Sequence, residues 1–154
     1  MNTLLVGAGY WGKNFIRILE KESNQFELKY ILDTQTEIPE YISFSNLEDL
    51  EKYTEDIDAA VVSTPTKTHY DIVKFLLKHS INVLVEKPLT TNLKEAKELY
   101  DLASEKNKVL LTDHTFLYNS SINYIKELIE NKEIGELLHC LLYTSPSPRD
   151  KTVS

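Results

Sequence analysis

Thr3-Leu4-Leu5-Val6-Gly7-Ala8-Gly9-Tyr10-Trp11-Gly12 is an apolar run that ends in a complete G-x-G-x-x-G. Leu4, Leu5 and Val6 read as a buried strand, and Trp11, Phe15, Ile16 and Leu19 recur behind it at helical spacing. In a strand-turn-helix of this kind Gly7 permits the tight turn. Gly9 lets the backbone approach a pyrophosphate, and Gly12 lets the helix pack closely on the strand. The orphan N–H groups of the first helical turn, with the positive end of the helix dipole, favour a phosphate there. The stretch predicts a dinucleotide site. The plainer alternative is a set of glycines that only make a tight β-to-α turn.

Asp33 supports the first reading. It closes a second apolar run, Leu28 to Leu32, and stands 21 residues beyond Gly12. An acidic side chain at that distance can accept both ribose hydroxyls of an adenosine. Thr34 and Gln35 follow it, with no Arg or Lys to neutralise a 2′-phosphate, which favours NAD over NADP. Against this, Asp is also common as the first residue of a turn.

Further along, strands are predicted at Tyr41 to Phe44, Ala59 to Val62, Val83 to Val85 and Val109 to Thr112. Asn46 caps a predicted helix over Leu47 to Tyr53, because its side chain can accept from orphan N–H groups. Three more amphipathic helices carry Ile72, Val73, Leu76 and Leu77; then Leu93, Ala96, Tyr100 and Ala103; then Ile122, Ile125, Leu128 and Ile129. Strands alternating with helices imply right-handed βαβ units. The expected fold is α/β, a Rossmann-type doubly wound parallel sheet with helices on both faces. Glu136 to Leu142 reads as the opening of another strand.

The chain has 154 residues, a length that suggests one domain. Its net charge of −7, from 17 basic and 24 acidic residues, argues against nucleic acid and acidic membranes as partners. Cys140 is the single cysteine, so no internal disulfide forms, which fits a reducing compartment. The first strand begins too near Met1 for a signal peptide, and no apolar run approaches the roughly 20 residues of a membrane helix. A cytoplasmic protein is expected. The four histidines and Cys140 lack metal-ligand spacing, so no metal site is expected.

From about Leu142 the sequence turns to Tyr-Thr-Ser-Pro-Ser-Pro-Arg-Asp-Lys-Thr-Val-Ser, without apolar periodicity. A flexible terminus explains this. The run also resembles translated sequencing-adaptor sequence, which makes a non-native tail on a longer native chain the expectation here.

Two more stretches, Val61-Val62-Ser63-Thr64-Pro65-Thr66-Lys67-Thr68-His69 and Val83-Leu84-Val85-Glu86-Lys87-Pro88-Leu89, stand with the glycine loop. Together they resemble the Gfo/Idh/MocA oxidoreductases, the sugar and inositol dehydrogenases related to glucose–fructose oxidoreductase. The resemblance covers about residues 3 to 140, and Glu86-Lys87-Pro88 is its most specific part. Tyr10-Trp11-Gly12-Lys13-Asn14 is similar to branches that oxidise nucleotide-linked sugars, and His114-Thr115-Phe116 also looks like the family. The resemblance implies a cofactor site that includes Tyr10 and Trp11 beside the glycines. It implies that Ser63, Thr64 and Pro65 line the cofactor, with His69 at the mouth of the next helix. It further implies Glu86 on the nicotinamide-ribose side and Lys87 facing nicotinamide and substrate as the catalytic residue. A lysine ammonium there stabilises charge developing on a carbinol oxygen and can relay its proton.

Each has a plainer role as well. Lys87 can be a solvated loop residue, His69 a helix-start residue and His114 a structural histidine; His79 and His139 read as structural. Family members continue into a sheet-rich second domain that shapes the sugar pocket and supplies an Asp-x-x-x-His acid/base, to which nothing after Cys140 corresponds. The expectation is therefore an NAD-binding domain over 1–136, with 137–154 as the start of a missing substrate domain plus the foreign tail. Such a chain alone would lack turnover and, with apolar surface uncovered, would self-associate. The intact protein is expected to oxidise a sugar or nucleotide-sugar hydroxyl to a ketone, as a homo-oligomer. The alternative is a non-catalytic NAD-binding module that acts as sensor or assembly partner.

Overall fold

The apolar runs pair into one six-stranded parallel sheet in a computed structural model that describes residues 1–21, 25–35 and 38–139. The strands are β1 (Asn2–Val6), β2 (Glu27–Leu32), β3 (Ile42–Phe44), β4 (Ala59–Val62), β5 (Asn82–Glu86) and β6 (Leu110–Asp113). They stand in the order β3-β2-β1-β4-β5-β6, and every neighbouring pair is parallel. The chain winds outward from β1 to β3, then returns to β1's other side to lay down β4, β5 and β6. The strand order therefore reverses between β1 and β4. In open α/β sheets ligands bind outside the carboxyl ends of the strands at such a reversal.

The inner strands β1 and β4 read as continuous apolar runs because both their faces are covered. On one face Leu4, Val6, Ala60, Val62, Val83 and Val85 pack against α3 (His69–Lys78) and α4 (Leu93–Glu105) through Val73, Leu76, Leu77 and Leu99. On the other, Leu5, Ile31 and Val61 meet α1 (Tyr10–Lys21) through Phe15, Ile16 and Leu19. Full burial of one such aliphatic side chain is worth roughly 1.5–3 kcal/mol. Asn46 caps α2 (Leu47–Leu50), its side-chain oxygen accepting the Asp49 N–H at 2.9 Å, and Asn92 caps α4 through Glu95 in the same way.

Several expectations need correction. The helix expected over Leu47 to Tyr53 is α-helical only to Leu50 and continues as a 3₁₀ segment, Glu51–Asp56. That tighter winding sets Tyr53 against the rings of Tyr30 and Phe44 and buries Thr54, whose hydroxyl donates to the Glu51 carbonyl. Trp11, grouped by spacing with the core face of α1, is 58% exposed; it lies in the helix's first turn, where its ring meets Tyr10 edge-on at 5.6 Å. The last strand runs one residue later than its apolar pattern, ending on Asp113. Residues 136–139 form no strand, and Cys140 to Ser154, which hold the rest of that expected strand and the tail, lie outside the described residues.

The compact unit spans Met1–His114, and Thr115 opens a second unit. There a 3₁₀ turn, Thr115–Tyr118, precedes α5 (Ser120–Glu130), whose first N–H groups are accepted by the Asn119 side chain. Ile122, Ile125, Leu128 and Ile129 are the half-buried positions of α5, the face its spacing predicts. Among the described residues no helix is long and apolar enough to cross a membrane.

Candidate functional site

Three segments meet at the strand-order reversal: the glycine loop after β1, the Ser63–Pro65 turn after β4 and the Asp33 end of β2. Gly7 has φ of +90°, and a Cβ there would come within 3.0 Å of the Ser63 backbone and the Thr64 methyl. Gly12 is tighter still, since a Cβ would stand 2.1 Å from the Gly7 carbonyl oxygen. Both glycines are required by the chain's own packing. Gly9 is different: it is exposed, and a Cβ would meet nothing within 4 Å. The space beside Gly9 is open, at the mouth of α1 where orphan N–H groups lie. The donor set and the open space fit a dinucleotide pyrophosphate.

The flanking residues hold this loop. Asp33 Oδ2 accepts the Ala8 N–H at 2.7 Å, and Oδ1 accepts the Gln35 N–H at 2.8 Å. The Ser63 hydroxyl donates to the Gly7 carbonyl at 2.6 Å, and the Ser63 N–H donates to the Val6 carbonyl at 2.8 Å. Ser63, expected to line the cofactor, is therefore bonded to the loop that would receive it. Thr68 adds a tie that the sequence did not single out: its hydroxyl lies 2.8 Å from the Pro65 carbonyl and 2.9 Å from the Thr64 hydroxyl. Ala8 was missed too, because the motif leaves its position unspecified.

His69 opens α3 and is only 1% exposed. Its Nδ1 lies 3.0 Å from the Pro88 carbonyl and its Nε2 2.8 Å from the Thr64 carbonyl. Burial sets the ring behind the loops rather than at their surface, which corrects the expectation of direct cofactor contact. Both partners can only accept, so a neutral imidazole donates to one of them and an imidazolium to both. Glu86 ends β5 level with Asp113 on β6, and its carboxylate accepts the Lys87 N–H at 3.2 Å. The Lys87–Pro88 peptide is cis. Lys87 is exposed, and among the described residues its ammonium has no hydrogen-bond or ion-pair partner.

Tyr10 and Trp11 form an exposed aromatic pair above the glycine loop. His114 is also exposed, with its N–H donated to the Thr112 carbonyl. His79 is held by the Phe75 carbonyl at 2.9 Å and the Phe75 ring, the structural role expected of it. A cavity of about 580 Å³ lies away from this site, on the α1 face near the amino ends of the strands, lined by Thr3, Phe15, Leu19, Ala59, Val61 and Leu84. Among the described residues no group of three or more His, Cys, Asp or Glu is placed to hold a metal.

The chain is similar to known proteins in sequence and in fold. The chain is 29% identical over 140 residues to a 2,7-anhydro-N-acetylneuraminate hydratase of Mediterraneibacter gnavus, covering 88% of this chain and 37% of that protein. It is 37% identical over 82 residues to a dTDP-3,4-didehydro-2,6-dideoxy-alpha-D-glucose 3-reductase of Saccharopolyspora spinosa, covering 53% of this chain and 25% of that one. Among solved structures it superposes with a TM-score of 0.78 and 25% identity on a Bordetella pertussis dehydrogenase in complex with NADH and UDP-GlcNAcA, over 88% of this chain and 41% of that one. The chain thus spans about two fifths or less of the length of these relatives. The model of the oxidoreductase family with an NAD-binding Rossmann fold matches residues 1–114, and the chain belongs to that Gfo/Idh/MocA family.

Proposed function

We propose that residues 1–136 form the NAD-binding domain of an enzyme that oxidises a sugar or nucleotide-sugar hydroxyl to a ketone. The observation that carries the reading is the open space beside Gly9, the one glycine of the loop whose missing side chain is not required by packing within the protein itself. In this reading the first-turn N–H groups of α1 receive the pyrophosphate and Asp33 accepts the adenosine ribose hydroxyls. Tyr10 and Trp11 flank the loop, while Thr64, Pro65 and Glu86 border the nicotinamide-ribose end. Ser63 and His69 act from behind, through the loops they hold. NAD bound there supplies the hydride acceptor.

Lys87 takes the catalytic role. As the hydride leaves a carbinol carbon its hydroxyl proton must also leave, and the ammonium, without a hydrogen-bond or ion-pair partner among the described residues, offsets the negative charge that gathers on that oxygen. NAD rather than NADP follows from Asp33 and from exposed Thr34 and Gln35, none of which neutralises a 2′-phosphate. The substrate class is supported by the sugar and nucleotide-sugar names among the relatives. Turnover also needs a substrate wall and an acid/base beyond these 136 residues.

Titration of the chain with NADH and NADPH, read by nucleotide fluorescence, tests the cofactor half. Saturable NADH binding is expected, with NADPH weaker by about tenfold or more, equivalent to about 1.4 kcal/mol. Absence of saturable binding by either nucleotide overturns the reading.

A further inference from the structure

We propose that His69 is a positioning residue that ties the Thr64 turn to the Lys87-Pro88 turn and so sets where the Lys87 ammonium stands. The proposal rests on the dinucleotide reading above and adds to it a residue that touches neither cofactor nor substrate.

The two carbonyls that the ring meets belong to segments just past the ends of β4 and β5, adjacent strands whose last paired residues are Val62 and Val85. Past the end of a parallel ladder, neighbouring backbones no longer bond each other, and something else must fix their spacing. The imidazole does this from a rigid base. His69 is the first residue of α3, whose Val73, Leu76 and Leu77 are fully buried against the sheet. Packing alone would not require these atoms. A Leu or Phe would fill the space and leave both backbone carbonyls without a donor, whereas the ring sets a nitrogen at 3.0 and 2.8 Å from them and donates to one when neutral and to both when protonated.

The consequence falls on Lys87. Its ammonium has no partner among the described residues, and its own N–H bonds only to the side chain of the preceding Glu86, at 3.2 Å. On its amino side Lys87 follows Glu86, the last ladder residue of β5; on its carboxyl side the fixed point is the carbonyl of Pro88, which the His69 ring meets at 3.0 Å. If that grip is lost, the glycine loop and Asp33 still stand, because Ser63 and Ala8 hold them independently. Loss of His69 should therefore separate cofactor affinity from lysine placement.

The experiment is acetylation of the 154-residue chain, with the rate at each lysine read by mass spectrometry with and without saturating NADH. Lys94 and Lys97, exposed on α4, serve as internal references. In the wild-type chain NADH is expected to slow acetylation of Lys87 selectively. In His69→Ala, NADH should still bind, weaker by about tenfold or less, the scale of one or two net hydrogen bonds. Its protection of Lys87 should be gone. His69→Gln, which keeps an amide N–H donor at this site, should restore part of the protection. Equal protection in wild type and His69→Ala overturns the proposal, as does NADH binding that never protects Lys87. If the wild-type chain does not bind NADH, the cofactor reading itself has failed, which is a distinct result. Thermal melting of both variants completes the test: if His69→Gln unfolds as readily as His69→Ala, His69 is a core residue only and the proposal falls.

Discussion

The Asp33 carboxylate accepts the Ala8 amide at 2.7 Å, so the acidic residue at the end of β2 is built into the glycine loop before any ribose reaches it. With the ribose role proposed for it, Asp33 would have two separable duties. Ala8 is 1% exposed, and removing its acceptor leaves a buried N–H unpaired, at a cost of about 1–3 kcal/mol. Asp33→Ala should lower both stability and NADH affinity. Asp33→Asn keeps an oxygen for Ala8 and should recover most of the stability while leaving affinity low. Denaturant melts and NADH titrations on the pair check this, and parallel recovery of both properties would sink it.

Gly9 and Gly12 should respond in opposite ways. A Gly9→Val side chain enters open space, so the melting temperature should stay within about 2 °C of wild type, less than a loss of about 1 kcal/mol would shift it. NADH affinity should nevertheless fall by about tenfold or more, since the backbone can no longer approach the pyrophosphate. Gly12→Ala drives a methyl into the Gly7 carbonyl and should destabilise the chain by about 1–3 kcal/mol or more, as overpacking does. Normal NADH binding by Gly9→Val would falsify the cofactor site.

Ser63→Ala tests whether a side chain assigned to the cofactor acts through the loop instead. Its hydroxyl donates to the Gly7 carbonyl at 2.6 Å. Losing that bond should cost about 0.5–1.5 kcal/mol of stability. The drop in NADH affinity should be smaller than that of Gly9→Val. An affinity loss as large as that of Gly9→Val, with stability unchanged, would put Ser63 in direct contact with the nucleotide.

Alkaline pH should loosen the contact between the β3 side of the fold and α1. The Tyr41 hydroxyl donates to Glu20 at 2.8 Å, and burial first, with the Glu20 carboxylate second, pushes its pKa from 10.0 up to about 12. The folded state thus holds this proton more tightly than the unfolded state. Its contribution is whole below about pH 10 and is lost as pH rises toward about 12. Urea melts of wild type and Tyr41→Phe across that window should converge as pH rises. Curves that stay parallel would show that Tyr41 carries none of the alkaline loss.

Much of this was legible in the sequence because it is local. The roles of Gly7 and Gly12 are set within one strand-turn-helix, and the sheet follows from apolar runs that alternate with amphipathic helices. What the sequence hid depends on which strands become neighbours. Asp33 meets Ala8, Ser63 meets Gly7 and His69 meets Pro88 only because β2, β1, β4 and β5 lie side by side. Helical spacing put Trp11 on the core face, yet in the first turn of α1 it is Gly12 that packs against the β1 loop, and the Trp11 ring stays exposed. Likewise the pattern from Leu47 onward marks a helix without saying that Tyr53 and Thr54 will tighten its second half.

The first strand of this chain is also the middle of its sheet, with β2 on one edge and β4 on the other. On a ribosome β1 and the glycine loop emerge early, and β2 can join them soon after. The other edge of β1 then stays open, apolar and unsatisfied until Ala59–Val62 has been made. Until then the chain made so far holds the glycine loop and Asp33 but lacks Ser63, whose hydroxyl bonds the Gly7 carbonyl in the finished fold. On the proposed reading, the dinucleotide site is complete only once β4 has joined β1, so nucleotide capture waits on the strand that crosses to the other side of the sheet.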